Sequence, residues 1–201
     1  KMKKLKIIIG ILLIIIVSFF YAHISKTNMI YDKNVDNGEY LSTGVVVDGD
    51  IRQEFVCTEN YLDGIQVRTQ VFGDVSGLQI EYSLLDGENQ EILATGVIDS
   101  SEIESSRFFE FQFDRIENTK DKSYIFVIKN IGAKENQGIG FYFQPRTEKD
   151  TLLTISDNQT EGTLILKTVT NRFDIETFFV FLIFIIYIIV FMRFLYRLFN
   201  K

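Results

Sequence analysis

Few residues in this chain could make or break a covalent bond. There is one cysteine, Cys57, and one histidine, His23, in 201 residues. A zinc centre needs three or four Cys, His or carboxylate ligands, and a thiol redox couple needs two thiols. A Cys/His zinc cluster, a disulfide scaffold and an internal redox pair are therefore excluded within the chain. His23 has no paired nucleophile in sequence reach and borders an apolar run, so it reads as an amphipathic anchor. Cys57 ends a strand pattern with no adjacent cation and reads as a buried, inert thiol. Ser100 and Ser101 sit in a polar loop without a base. No catalytic residue is assigned.

Carboxylates are abundant, in the pairs Asp48 with Asp50, Glu102 with Glu104 and Asp86 with Glu88. Glycoside hydrolysis would hold two of them roughly 5–10 Å apart across a sugar, one with a raised pKa. These pairs fall in hydrophilic turns, where solvated acids are expected. Asp48, Asp50 and Glu54 gather the hard oxygen ligands that calcium takes, but the EF-hand spacing is absent, and no metal is assigned. Gly138-Ile139-Gly140 lacks the lysine and helix of a phosphate loop and reads as a strand bend. No cofactor is expected. Asn158-Gln159-Thr160 fits the N-glycosylation sequon, which matters only where that machinery exists.

Sugar binding suits the residue types better. Aromatic rings offer apolar area with a polar handle, and amide or guanidinium groups match sugar hydroxyls. Gln66, Arg68 and Gln70 alternate with Ile65, Val67, Thr69 and Val71, so they point away from a core. Glu81 belongs to the same class, and Tyr142 between Phe141 and Phe143 faces outward. These five residues form the candidate glycan face. The plainer reading is a solvated sheet face, and the absence of Trp counts against tight glycan binding.

The elements that must position these residues are strands. Period-two alternation recurs in Leu78 to Leu84, Phe109 to Phe113, Ile139 to Phe143, Leu152 to Ile155 and Thr163 to Val169. Thr43 to Val47 and Ile51 to Cys57 are two more strands at the start. Tyr124 to Ile128 is apolar on both faces, which predicts a central strand. Asp48-Gly49, Asp63-Gly64, Gly73-Asp74, Asp86-Gly87 and Glu161-Gly162 read as turns with glycine at positive φ. Asp99 to Ser106 suits a short helical turn. No sustained 3.6-residue period appears, and about 150 residues suffice for one buried core. The fold expected is an all-β ectodomain, a jelly roll or β-sandwich, flanked by two transmembrane α-helices.

Charge and hydropathy supply those flanks. All 27 acidic residues lie between Asp32 and Glu176, with only 14 of the 21 basic ones, leaving the middle at −13. An acidic surface does not neutralise phosphates, so nucleic acid is excluded as a partner. Ile7 to Ile24 is an uncharged run of 18 residues, about 27 Å as a helix and close to the hydrocarbon thickness of a bilayer. Four lysines precede it and aromatics crowd its far end, which places the N-terminus inside as an uncleaved anchor. Thr177 to Met192 is the second run; Arg193 can snorkel, and Arg197 and Lys201 place the C-terminus inside as well. The organisation expected is a cytoplasmic N-terminus (1–6), a first span (7–24), a stalk (25–42), an extracytoplasmic β-sandwich (43–173), a second span (174–196) and a cytoplasmic C-terminus (197–201). Phe181, Phe184, Tyr187 and Phe191 recur at helical spacing and form a ridge suited to a partner helix or to lipid. Neither apolar run, Ile7 to Ile24 or Thr177 to Met192, carries a charge or a GxxxG pair, so no transport path is built here.

A resemblance rests on Gln53-Glu54-Phe55, Leu62-Asp63-Gly64-Ile65-Gln66-Val67, Gly77-Leu78-Gln79-Ile80-Glu81-Tyr82-Ser83-Leu84-Leu85-Asp86, Phe111-Gln112-Phe113 and Tyr124-Ile125-Phe126. This succession resembles the extracytoplasmic jelly-roll, carbohydrate-binding-like domain of Gram-positive membrane glycosyltransferases and cell-envelope polysaccharide proteins. It covers most of the outer domain, neither span, and consists of core and turn residues, so it speaks to fold more than to function. The larger relatives carry a many-helix enzyme module that is missing here. The resemblance implies a non-catalytic accessory subunit in the plasma membrane, working beside a multi-span glycosyltransferase or a polysaccharide export or polymerase protein, with a glycan as a further partner. A different class, a membrane-anchored sensor or immunity-type protein that binds an extracellular peptide or protein, is the alternative. An enzyme on wall glycans ranks last, because no acid, base and cleft are joined.

Overall fold

The computed structural model describes residues 2–200 and the side chains of residues 8–200. The side chains of Lys1, Lys3, Lys4 and Lys6, expected to mark the cytoplasmic side of the first span, and Lys201, expected to mark that of the second, lie outside that description. The chain divides into two compact units, one of residues 27–170 and one of residues 1–26 with 171–201.

In chain order the elements are α1 (Met2–Tyr21), β1 (His23–Met29), β2 (Leu41–Ser42), β3 (Ile51–Val56), β4 (Tyr61–Phe72), β5 (Gln79–Asp86), β6 (Ile92–Asp99), β7 (Phe108–Glu117), β8 (Ser123–Ile131), β9 (Gly138–Gln144), β10 (Leu152–Ile155), β11 (Asn158–Thr160), β12 (Thr163–Leu164), β13 (Leu166–Phe173) and α2 (Ile175–Phe199). The first sheet runs β1-β13-β4-β9-β12, with β7 also on β4 and β2 also on β9. The second runs β11-β10-β3-β8-β5-β6. Two antiparallel sheets over one core make a β-sandwich.

Alternation decides which side chains fill it. In β3, Ile51, Gln53 and Phe55 are buried while Arg52, Glu54 and Val56 are half-buried. β5 buries Ile80, Tyr82 and Leu84, and β8 buries Tyr124, Phe126 and Ile128. The β8 strand lies between β3 and β5, as its apolar pattern predicts. Phe111 of β7 meets Tyr82 and Phe126 of the opposite sheet edge-on, with ring centroids 5.2 and 5.4 Å apart. Each such buried ring contributes about 1.5–3 kcal/mol of transfer free energy.

Several expectations are corrected. Thr43 to Val47 is not a strand: the last backbone bond to β9 runs from the Thr43 N–H to the Phe141 carbonyl, and Gly44 at φ 64° turns the chain out of the ladder. Asp63-Gly64 is not a turn but lies within β4, where the register with β7 shifts. After Asp86 the left-handed residue is Gln90 (φ 58°) rather than Gly87. The edge strand β6 has mostly exposed residues, so it lacked the apolar face by which the others were read. Segment 25–42 is not a free stalk; it supplies strand residues to the first sheet, and Ile30 donates its N–H to Leu166. The predicted helical turn after Asp99 is present as a 3-10 turn, Ser100–Glu102, capped by the Asp99 side chain.

The other unit holds the apolar helices. The expected span 7–24 ends as helix at Tyr21; Ala22 closes the last turn on Ser18, and β1 begins at His23. Its described apolar portion is Ile8–Tyr21, about 21 Å at 1.5 Å per residue and short of a 30 Å core. Among the described residues one helix, Ile175–Phe199, is long and apolar enough to cross a membrane. It starts where Asp174 accepts the N–H of Thr177 at 2.8 Å, an N-cap. A long C-terminal and a shorter N-terminal apolar helix are compatible with membrane anchoring.

Candidate functional site: an aromatic and cationic face on the first sheet

The outer face of the first sheet is built around β4. Thr69, Val67 and Ile65 point inward, so Gln66, Arg68 and Gln70 share the opposite face, each half-buried. Arg68 is the centre. Its guanidinium carbon lies 5.6 Å from the Tyr40 ring centroid and 5.4 Å from that of Tyr142. Nη1 donates to Oδ1 of Asn37 at 3.3 Å. A planar cation close to two rings gains electrostatic attraction from both.

Lys167 of β13 lies opposite Gln66, and its ammonium sits 3.8 Å from the Phe108 ring centroid. Burial pulls the Lys167 pKa below that of an ordinary lysine. Tyr31 stacks on Phe108 and meets Tyr40 edge-on, each at 6.4 Å. Burial raises the phenol pKa of Tyr31 and of Tyr40, and the Arg68 charge opposes both shifts. Gln66 donates to Glu110 at 2.8 Å, and the other Glu110 oxygen accepts from Gln112 at 3.1 Å. Among the described residues no ion pair involves Arg68 or Lys167.

Two polar atoms on this face are buried without a hydrogen-bond partner, Nε of Arg68 and Oε1 of Gln70. They are a donor and an acceptor two residues apart on one face of β4. The first calls for an acceptor and the second for a donor, and a hydroxyl group can serve as either.

Of the five residues expected to bind glycan, Gln66, Arg68, Gln70 and Tyr142 share this face. Glu81 does not: it is exposed on β5 of the second sheet, between Val97 and Lys129. Sequence reasoning missed Tyr31, Tyr40, Phe108 and Lys167. Lys167 alternates with the buried Leu166 and Thr168, so period two would have found it. Tyr31 and Tyr40 were hidden in the supposed stalk.

The other candidates resolve separately. Asp48, Asp50 and Glu54 do not converge on a cation; Asp50 pairs with Arg52 at 2.8 Å and Glu54 accepts from Ser123 at 3.1 Å. Among the described residues no group of three His, Cys, Asp or Glu side chains could hold a metal. Cys57 is fully buried against Thr119 and the Glu59 carbonyl. On α2, Phe181 stacks on Tyr21 at 4.1 Å, and Tyr187 stacks on Phe191 at 6.0 Å, while Phe184 is exposed.

No family model matches the chain, and no curated protein does. Among solved structures it is similar to the clostridial cysteine protease Cwp84 after propeptide cleavage, at 10% identity over 74% of this chain and 40% of that one, with a TM-score of 0.47. It is similar also to the cysteine protease and lectin-like domains of Cwp84, a surface layer associated protein of Clostridium difficile, at 10% identity over 68% and 37%, with a TM-score of 0.42. The infectious bursal disease virus VP2 subviral particle gives 12% identity over 74% and 38%, with a TM-score of 0.23. The chain therefore spans less than half the length of each of these.

Proposed function

We propose that this chain is a non-catalytic accessory subunit of a cell-envelope polysaccharide or glycosylation system, anchored in the plasma membrane by both apolar helices. In this reading both termini are cytoplasmic and the β-sandwich is extracytoplasmic. Basic residues gather at the chain ends and the −13 charge gathers between them, which supports that orientation. The outer face of the first sheet contacts a glycan, either free or presented by a partner glycosyltransferase.

One observation carries the glycan part: Arg68 lies within cation–π reach of both Tyr40 and Tyr142, with its unpartnered Nε on the same strand face as the unpartnered Oε1 of Gln70. Ring faces take the apolar side of a pyranose, and the unpartnered donor and acceptor each have a hydrogen bond to make to sugar hydroxyls. The test is a glycan array probed with the full chain in detergent, alongside Tyr142→Ala and Gln70→Leu. Saturable binding to one glycan class that both variants weaken supports the reading. Absence of glycan binding, or binding indifferent to both changes, overturns it. Affinity purification from native membranes tests the accessory role; recovery without any envelope enzyme counts against it.

A further inference from the structure

The two edges of the second sheet differ. The β11 edge is three residues long, Asn158–Thr160, and polar. The β6 edge is eight residues long, Ile92–Asp99, and contains no Lys, Arg or Pro. Among the described residues it pairs on one side only, with β5. Sheet edges in soluble domains are blunted by lysine, proline, bulges or shortness, because bare N–H and C=O rows template further pairing. Here the one bulge, between Leu84 and Leu85, leaves Leu93 without a β5 partner. Ala94 to Asp99 then runs in regular register.

The same strand carries exposed apolar side chains. Val97 is 59% exposed and Ile92 63%, with Leu93 also exposed. Across β5, the outer face continues through the half-buried Leu85, Ile125 and Val127. Ala94 and Ile98 pack inward on the core, so the inner face of β6 is covered. A bare backbone row beside exposed Val97 fits one kind of ligand, an added β-strand.

Charge selects which strand. Unit 27–170 holds 25 carboxylates against 12 cations. Against that −13, β6 contributes a single charge, Asp99, at its end. A basic partner drawn by the domain field would find no acidic row along this edge to pair with. A second β6 needs none. With Gly96 opposite its own copy in an antiparallel self-pair, each Asp99 faces Leu93 and the two Asp99 side chains stand six residues apart, about 20 Å, beyond a Debye length of about 8 Å. Thr95 then faces Val97 and Ala94 faces Ile98, so outward residues meet outward ones and inward meet inward, with no like charges opposed.

We propose that β6 pairs antiparallel with β6 of a second copy of this chain, joining two six-stranded sheets into one. The proposal stands on the edge itself and is independent of the glycan reading. The test measures the mass of the full chain in detergent over a dilution series, for the native sequence and for Val97→Lys. The native chain gives a concentration-dependent dimer, and Val97→Lys raises the dissociation constant at least about tenfold, as a charge on a pairing edge does. A monomer at every concentration overturns the proposal. So does a dimer that Val97→Lys leaves intact, which would place association elsewhere. Should the lysine variant lose its fold by circular dichroism, cross-linking decides: Val97→Cys treated with a short bismaleimide gives a covalent dimer, and Gln159→Cys on the β11 edge does not. Equal cross-linking at both positions, or none at Val97→Cys, overturns it.

Discussion

Asn130 and Ile139 meet across the sandwich as a false strand pair. The Asn130 side chain on β8 donates Nδ2 to the Ile139 carbonyl and accepts the Ile139 N–H at Oδ1, both at 3.0 Å. One amide thus completes the backbone of a strand in the other sheet, fully inside the core. Asn130→Ala would leave two buried main-chain groups unpaired, at about 1–3 kcal/mol each. A loss of about 3 kcal/mol in denaturant unfolding is expected, with Asn130→Asp no better, because a carboxylate cannot donate to Ile139.

Gln53 makes the second inter-sheet clamp. It is fully buried on β3, accepts the N–H of Leu164 at 2.8 Å and donates to the carbonyls of Glu54 and Leu152. Gln53→Glu replaces a donor by a charge in the core, so its loss should exceed that of Gln53→Met. Stability curves of the two variants check the order, with Gln53→Met costing about 2 kcal/mol.

Gly140 is a packing requirement. A Cβ there would stand 2.7 Å from the Gly44 carbonyl oxygen and 2.8 Å from Cε2 of Phe72. Gly140→Ala should cost about 1–3 kcal/mol, while Gly10→Ala, with no atom within 4 Å, should be neutral or stabilising by up to about 1 kcal/mol. Melting temperatures of the pair would separate the effects.

Arg68→Lys should weaken the outer face even though charge is kept. A lysine cannot present one plane to Tyr40 and Tyr142. A loss of about 1 kcal/mol in unfolding free energy is expected, from two cation–π contacts of about 0.5–1 kcal/mol each partly retained.

Two exposed carboxylates set the direction of an acid response. Hydrogen bonds from Ser76 hold the Asp74 carboxyl below its ordinary 3.8, and those from Ser101 do the same for Asp99. A depressed folded-state pKa means that each contribution is present above the unfolded value and is lost as pH falls through the folded one. Carboxyl-carbon NMR titration should place both below 3.8, and Ser76→Ala should raise Asp74 while leaving Asp99 unmoved.

Much of the sandwich was legible because burial on one face imposes alternation. The strands β3, β5, β8 and β9 were read from Ile51, Ile80, Tyr124 and Ile139 and their two-residue repeats, all buried as expected. β6 was illegible for the same reason: with its residues largely exposed, nothing forces it to alternate apolar and polar side chains. Asp63-Gly64 misled because local turn chemistry yields when two neighbouring strands pair through it.

By itself, the amino-acid order determined the acidic middle, the apolar flanks and which residues of each strand would be wet, since these depend on composition and on a period of two. Only the tertiary structure decided which strands became neighbours. Pairing partners are chosen by long-range hydrogen bonds and core fit, and no spacing rule carries that information. So Tyr31 and Tyr40 joined Arg68, Phe108 and Lys167 on one face, and Glu81 was left on the other sheet.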